Sequence, residues 1–161
     1  MSEFCCKELS MFCPCGSKEL FADCCSPLIN ELVAANSPET LMRSRYCAYA
    51  IKDAQYLYKT YAQSTRTSQS IEEIQAWADE TIWVSLSIKA ADADHSVLFT
   101  ACYIQGNKQF QLTERSRFIL ENQRWHYLDG DIIEHLEVAT LTRNQPCPCQ
   151  SNKKFKQCCG R

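Results

Sequence analysis

Cysteine is the residue whose spacing could do chemistry in this chain, and the same spacing is written twice. Cys13-Pro14-Cys15, eight residues and then Cys24-Cys25 stand near the start; Cys147-Pro148-Cys149, eight residues and then Cys158-Cys159 stand at the end. Four thiolates per copy is the complement a tetrahedral structural Zn²⁺ requires, with Zn–S bonds of about 2.3 Å. The pattern predicts two zinc knuckles, each closed around one structural ion by Cys13, Cys15, Cys24 and Cys25 or by Cys147, Cys149, Cys158 and Cys159.

Disulfides are the competing use of twelve cysteines. The opening Met1-Ser2-Glu3-Phe4-Cys5-Cys6-Lys7-Glu8 puts charge where a signal peptide needs an apolar core. No apolar run of about 18 residues is present to span a bilayer. The chain is therefore expected in the cytoplasm, where thiols stay reduced and clustered cysteines hold metal. Neighbouring pairs such as Cys24 and Cys25 are also poorly placed to bridge one another.

Within each copy the central proline fixes φ and sets two sulfurs on one side of a tight turn. Gly16 and Asn152 tolerate a left-handed backbone, and Phe21 and Phe155, each three residues before the paired cysteines, are placed to shield the metal from water. Charge separates the copies. Residues 1–37 hold Lys7 and Lys18 against Glu3, Glu8, Glu19, Asp23 and Glu31, whereas residues 141–161 hold Arg143, Lys153, Lys154, Lys156 and Arg161 and no acid. A four-thiolate zinc is itself locally anionic, so nearby lysines partly neutralise it. Lys153, Lys154 and Lys156 exceed that need, which makes the second knuckle a candidate surface for an acidic protein, a phosphate or RNA. The first knuckle and the net charge of −2 offer a polyanion no general attraction.

Cys13-Pro14-Cys15-Gly16-Ser17, followed by a final Cys-Cys, resembles the SEC-C motif, best known as the zinc-binding tail of the SecA translocase. With a copy at both ends, and Leu41-Met42-Arg43-Ser44-Arg45-Tyr46, Ser116-Arg117-Phe118 and Trp125-His126-Tyr127-Leu128-Asp129-Gly130 between them, the chain is similar to the uncharacterised bacterial YchJ family. The resemblance implies metal ligation by all eight cluster cysteines and a middle domain like the nuclear transport factor 2 cone. It implies no activity. Gln150 stands where the motif usually has glycine, and Glu19, Ala22 and Asp23 stand where lysines are common.

The elements that must position these residues follow from period and punctuation. The chain divides into an N-terminal knuckle and linker (1–37), a middle domain (38–140) and a C-terminal knuckle (141–161). Ser37 caps a helix that Pro38 and Glu39 favour, and Met42, Tyr46, Tyr49 and Ala50 repeat at helical spacing. A second helix is expected over 53–63, a polar loop over 64–69, and a third helix from Ser70 carrying Ile71, Ile74 and Trp77. After Asp79 the period becomes two, with strands expected from Ile82, over 97–104, 110–120 and 125–129. The resulting expectation is an α+β fold with helices on a curved antiparallel sheet, a nuclear transport factor 2-like cone flanked by the knuckles.

Two features interrupt the apolar pattern of this middle domain. Arg43 and Arg45 flank the Met42–Tyr46–Tyr49 stripe, and Glu114 with Ser116 breaks the inward face of the strand from Phe110 to Leu120. A buried carboxylate needs a partner, so Glu114 is expected to pair with Arg43 or Arg45. The same groups, with Tyr46 and Trp125, are candidates for a polar site inside an aromatic wall. His95, His126 and Asp129 offer acid or base groups without a recognisable catalytic spacing. Cys47 and Cys102, on apolar stretches, are read as core thiols. Function is accordingly expected as a zinc-binding adaptor or ligand-binding protein contacting a protein partner through its knuckles. The alternatives are a small-molecule enzyme using the central pocket, and a ribosome- or nucleic-acid-associated factor acting through the basic knuckle.

Overall fold

The computed structural model describes residues 12–161; Cys5 and Cys6 lie outside the described residues. After the first knuckle comes a single turn of helix, α1 (Ser26–Ile29). Helix α2 (Pro38–Ile51) starts where its signals place it: the Ser37 hydroxyl accepts from the Thr40 N–H at 3.1 Å and Pro38 fills the first turn. It stops at Lys52, in the left-handed region at φ 66°. Asp53 caps α3 (Ala54–Lys59) by accepting from the Tyr56 N–H at 2.9 Å.

The expected second helix does not run on to Gln63. Residues 60–62 are instead drawn onto the sheet, with the Ala62 N–H donating to the Tyr127 carbonyl and the Tyr127 N–H to the Thr60 carbonyl, each at 2.8 Å. A further turn, α4 (Gln63–Arg66), takes the first part of the expected polar loop. Helix α5 (Ile71–Glu80) opens on a capping box in which Ser70 and Glu73 each bond the other's backbone N–H.

Four antiparallel strands follow: β1 (Ile82–Ala91), β2 (Ser96–Gln105), β3 (Lys108–Glu121) and β4 (Arg124–Thr140). Gly106-Asn107 and Asn122-Gln123 form the two-residue hairpin turns, Asn122 and Gln123 both at positive φ. Strand β4 continues well past Asp129, where the sequence pattern ends. Asp129, Gly130 and Asp131 read as a breaker, yet both acids are satisfied across the ladder by Arg117, each at 2.5 Å.

The expected curved cone is corrected by the strand order. The strands pair only in sequence, β1-β2-β3-β4, so the sheet is an open meander whose outer strands do not meet. Four strands joined by tight hairpins are too few to wrap around on themselves, since closed barrels take about eight. The far half of β4 leaves Ile132, Ile133, Leu136 and Val138 exposed.

Helix α2 packs across β1, β2 and β4, and α3 packs on α5. The core they enclose contains Leu41, Tyr46, Cys47, Leu57, Ile74, Val97, Phe99 and Phe118. Among the described residues, no helix is long and apolar enough to cross a membrane.

Candidate metal centres and central cavity

The two knuckles share a backbone design. In each, the N–H of the first cysteine closes the turn on the carbonyl six residues on, Cys13 to Glu19 at 2.7 Å and Cys147 to Lys153 at 2.8 Å. In each, a serine hydroxyl sits against the first sulfur of the final pair, Ser17 to Cys24 at 3.3 Å and Ser151 to Cys158 at 3.2 Å. The 3₁₀ turns Phe21–Asp23 and Phe155–Gln157 deliver those pairs. Both copies place two residues in left-handed backbone, Gly16 and Lys18 in the first, Gln150 and Asn152 in the second. Gln150 thus adopts, with a side chain, the conformation that Gly16 adopts without one.

At the C-terminal end the sulfurs of Cys147, Cys149, Cys158 and Cys159 all lie within 4.8 Å of one another. Neighbouring sulfurs are 3.3–3.9 Å apart. Tetrahedral ligation with Zn–S bonds of about 2.3 Å sets sulfurs about 3.8 Å apart, so the donor set fits such an ion. Phe155 is buried beneath the cluster, and a Cβ on Gly160 would come within 2.7 Å of its ring, so glycine is what lets the last residues fold over it. Against its burial, the Cys149 thiol is lowered by its hydrogen bonds with Ser151 and Cys147.

At the N-terminal end the set that converges is Cys13, Cys15, Cys25 and Cys47, again within 4.8 Å of one another and all buried. Cys47 comes from the middle of α2, and its sulfur is 3.4 Å from that of Cys13. Cys24 stands beside this set, 3.7 Å from Cys15 and 3.8 Å from Cys25, and is partly exposed. The Cys15 thiol is held far below its usual range by hydrogen bonds from Cys13, then Cys25 and Cys47. Cys25 and Cys47 are pushed up, each chiefly by its bond with Cys13. Four thiols brought this close together are a donor set from which a metal cation would displace protons.

Reading Cys47 as a core thiol captured its burial and missed its neighbours. One turn earlier on the same helix, Arg43 donates to the Cys15 carbonyl at 2.9 Å while held by Glu39 at 2.9 Å. Arg43 therefore buttresses the first knuckle and does not line the central cavity.

That cavity, of about 130 Å³, lies between α2, α5 and the sheet and is lined by Arg45, Tyr46, Tyr49, Trp77, Trp83, Glu114, Ser116 and Tyr127 among others. Of the five residues expected there, Arg45, Tyr46 and Glu114 are present. Trp125 instead packs on His95, ring centres 4.8 Å apart, and lines a smaller hollow of about 80 Å³ beside His126.

The expected ion pair is not formed. Glu114 accepts from the Ser116 hydroxyl at 2.7 Å and the Tyr127 hydroxyl at 3.1 Å. Arg45, almost wholly buried, donates to the Leu57 carbonyl at 2.8 Å and to the Thr60 hydroxyl at 2.5 Å. Its guanidinium lies over Tyr61 and Tyr127, 4.6 and 4.7 Å from the ring centres. Three hydroxyls and a carbonyl, aided by aromatic faces, thus satisfy groups that the sequence pattern pairs by charge. Burial, with the Glu114 charge adding to it, pushes the Tyr127 hydroxyl far above the ordinary tyrosine range and keeps it a donor. Gly130 makes room for this arrangement, since a Cβ there would come within 2.1 Å of a Glu114 oxygen. Among the described residues, the Trp83 indole Nε1 is the only buried side-chain nitrogen or oxygen without a hydrogen-bond partner.

Comparison with known proteins agrees with this architecture. Residues 37–130 match the family described as the YchJ middle NTF2-like domain, and residues 143–161 match the SEC-C motif. The solution structure of a SEC-C motif-containing protein from Rhodopseudomonas palustris is similar at 34% identity and a TM-score of 0.72, covering 77% of this chain and 100% of that one. A crystal structure of a SEC-C motif-containing protein from Psychrobacter arcticus is similar at 28% identity and a TM-score of 0.63, covering 92% of this chain and 95% of that one.

Proposed function

The chain belongs to the YchJ family, and on that footing we propose that it is a cytoplasmic zinc-binding adaptor whose C-terminal knuckle docks an acidic protein surface. Zinc, when bound, holds four thiolates and closes each knuckle, with no coordination position left open for a substrate. The observation that carries the reading is the disposition of charge on the second knuckle. Lys153, Lys154 and Lys156 are exposed on the turn between the two cysteine pairs, and among the described residues none enters an ion pair. Phe155 between them points inward, so the knuckle presents ammonium groups on a rigid, metal-closed base.

Three lysines so close together lie within one Debye length of about 8 Å at physiological salt, and act as one patch. The test is binding of the zinc-loaded protein to poly-glutamate and to single-stranded RNA at two salt concentrations. Binding to poly-glutamate that weakens with salt, and is lost when all three lysines become glutamine with zinc content unchanged, is the expected result. Preference for RNA with a steeper salt dependence favours the nucleic-acid alternative. Undiminished binding by the triple variant shows that the lysines only balance the thiolate charge.

The central cavity supports a second reading, a small-ligand site. Its specific support is Trp83 Nε1, a buried donor without an acceptor on the wall of a cavity that also holds the Glu114 carboxylate. A compact ligand with one acceptor and one donor satisfies both. Glu114 is fixed by two hydroxyls, and the described lining of the cavity holds no cysteine, lysine or histidine, which favours binding over catalysis and sets the enzyme alternative behind. A fragment screen read by Trp fluorescence tests this: hits that quench the parent and not Glu114→Gln support it, and no hits remove it.

A further inference from the structure

We propose that Cys47 is a ligand of the N-terminal metal, so that this ion joins the first knuckle to helix α2, and that Cys24 stands outside the ligand set. The inference rests on the metal-binding reading of the knuckles and identifies the ligands of one site. Its first support is convergence: the Cys47 sulfur lies within 4.8 Å of those of Cys13, Cys15 and Cys25, all four buried, and Cys47 is completely so. Its second is the internal comparison that the repeat supplies. By its place in the repeat and its serine contact, Cys24 corresponds to Cys158, which does belong to the four-sulfur set at the other end. At the N-terminal end Cys24 keeps contacts like those of Cys158, 3.7 Å from Cys15 and 3.8 Å from Cys25, but the four sulfurs that all lie within 4.8 Å of one another include Cys47 in its place, and among the described residues the C-terminal set gains no such member.

The third support is the helix that carries Cys47. Arg43, one turn before it, is anchored by Glu39 and donates to the backbone of Cys15, so the face of α2 bearing Cys47 is fixed against the knuckle before any ion arrives. Gly16 packs on β1 from the other side, close enough that a Cβ would sit 3.3 Å from the Leu86 carbonyl. The knuckle is thus held between α2 and β1 with its sulfurs aimed at a residue of the helix. Cys24, partly exposed and in contact with Ser17, is left as a fifth thiol at the rim.

The test uses the full chain loaded with Co²⁺, whose thiolate bands report ligand number, together with a chelator titration that resolves the two sites. Cys24→Ser is expected to bind two ions with an unchanged spectrum. Cys47→Ser is expected to shift one step of the titration by about 100-fold or more, since loss of even an outer partner of a ligand costs about 10–100-fold. Cys47→Ala, which leaves no hydroxyl in the buried site, is expected to do the same. Because a substitution inside α2 can compromise folding, the parent protein supplies an independent reading: alkylation of metal-loaded chain, mapped by peptide, is expected to modify Cys24 without releasing metal. Retention of both steps by Cys47→Ser, loss of a step in Cys24→Ser, or metal release on alkylation of Cys24 overturns the assignment. Parent chain that binds no ion at all overturns the metal-binding reading as well, and is distinguishable because neither step is then seen.

Discussion

The two knuckles repeat one motif but are built into the molecule differently. Cys13, Cys15 and Cys25 belong to the same packed core as Leu41, Leu57 and Phe99, whereas Cys147, Cys158 and Cys159 form a separate cluster with Ile104, Leu141 and Phe155. The first is part of the middle domain's interior; the second brings its own aromatic residue and sits beside the sheet. A cysteine motif therefore specifies a local fold, while its neighbours decide whether the metal stabilises only that fold or the domain beneath it. Surface charge follows the same division, because the copy that is packed into the core keeps few lysines and the copy on the outside carries the basic patch.

The sharpest way to break this comparison is to remove one cluster at a time. Cys25→Ser is expected to lower the melting temperature of the middle domain by about 10 °C, the equivalent of about 3 kcal/mol in a chain of this size. Cys159→Ser is expected to release one metal ion and leave that transition in place. Circular dichroism melts paired with metal analysis read both. Equal effects from the two variants would show that the separate packing of the clusters has no energetic meaning.

A smaller effect lies in the left-handed residue after the second cysteine. Gly16 at φ 79° is closely approached by the Leu86 carbonyl, so Gly16→Ala is expected to weaken the first site by about 1–2 kcal/mol. Gln150 at φ 60° is exposed and already bears that strain, so Gln150→Gly is expected to strengthen the second site by about 1 kcal/mol, roughly fivefold in a chelator competition. Opposite signs sharpen the comparison. A weaker second site in Gln150→Gly would mean that the glutamine side chain supplies a contact that outweighs its backbone strain.

Much of this was legible in the residues, and the parts that were not share a cause. Ser37-Pro38 and Ser70 are local devices, and they placed the starts of two helices correctly. The long-range partners were hidden. Thr60–Ala62 leaves the helical pattern because Tyr127, far along the chain, offers it a strand to pair with. β4 extends through Asp129 and Asp131 because Arg117 on β3 neutralises both. Arg43 and Arg45, two positions apart on one helix, point to different sites, and charge alone suggested that one of them meets Glu114. Cys47 reads as a core thiol because periodicity reports burial and says nothing about what lies on the other side. The curved cone failed for a related reason: alternation reveals strands, but closure depends on how many there are and whether the outer two meet.

The close approach of Glu114 to Gly130 also sets a rule for variation. The carboxylate occupies the volume that any side chain at position 130 would need, with a Cβ brought to 2.1 Å of its oxygen. The two positions are therefore coupled: any side chain at 130 must push the Glu114 carboxylate out of its contacts with the Ser116 and Tyr127 hydroxyls. The cavity's polar character is thereby protected by a residue that contributes no chemistry of its own.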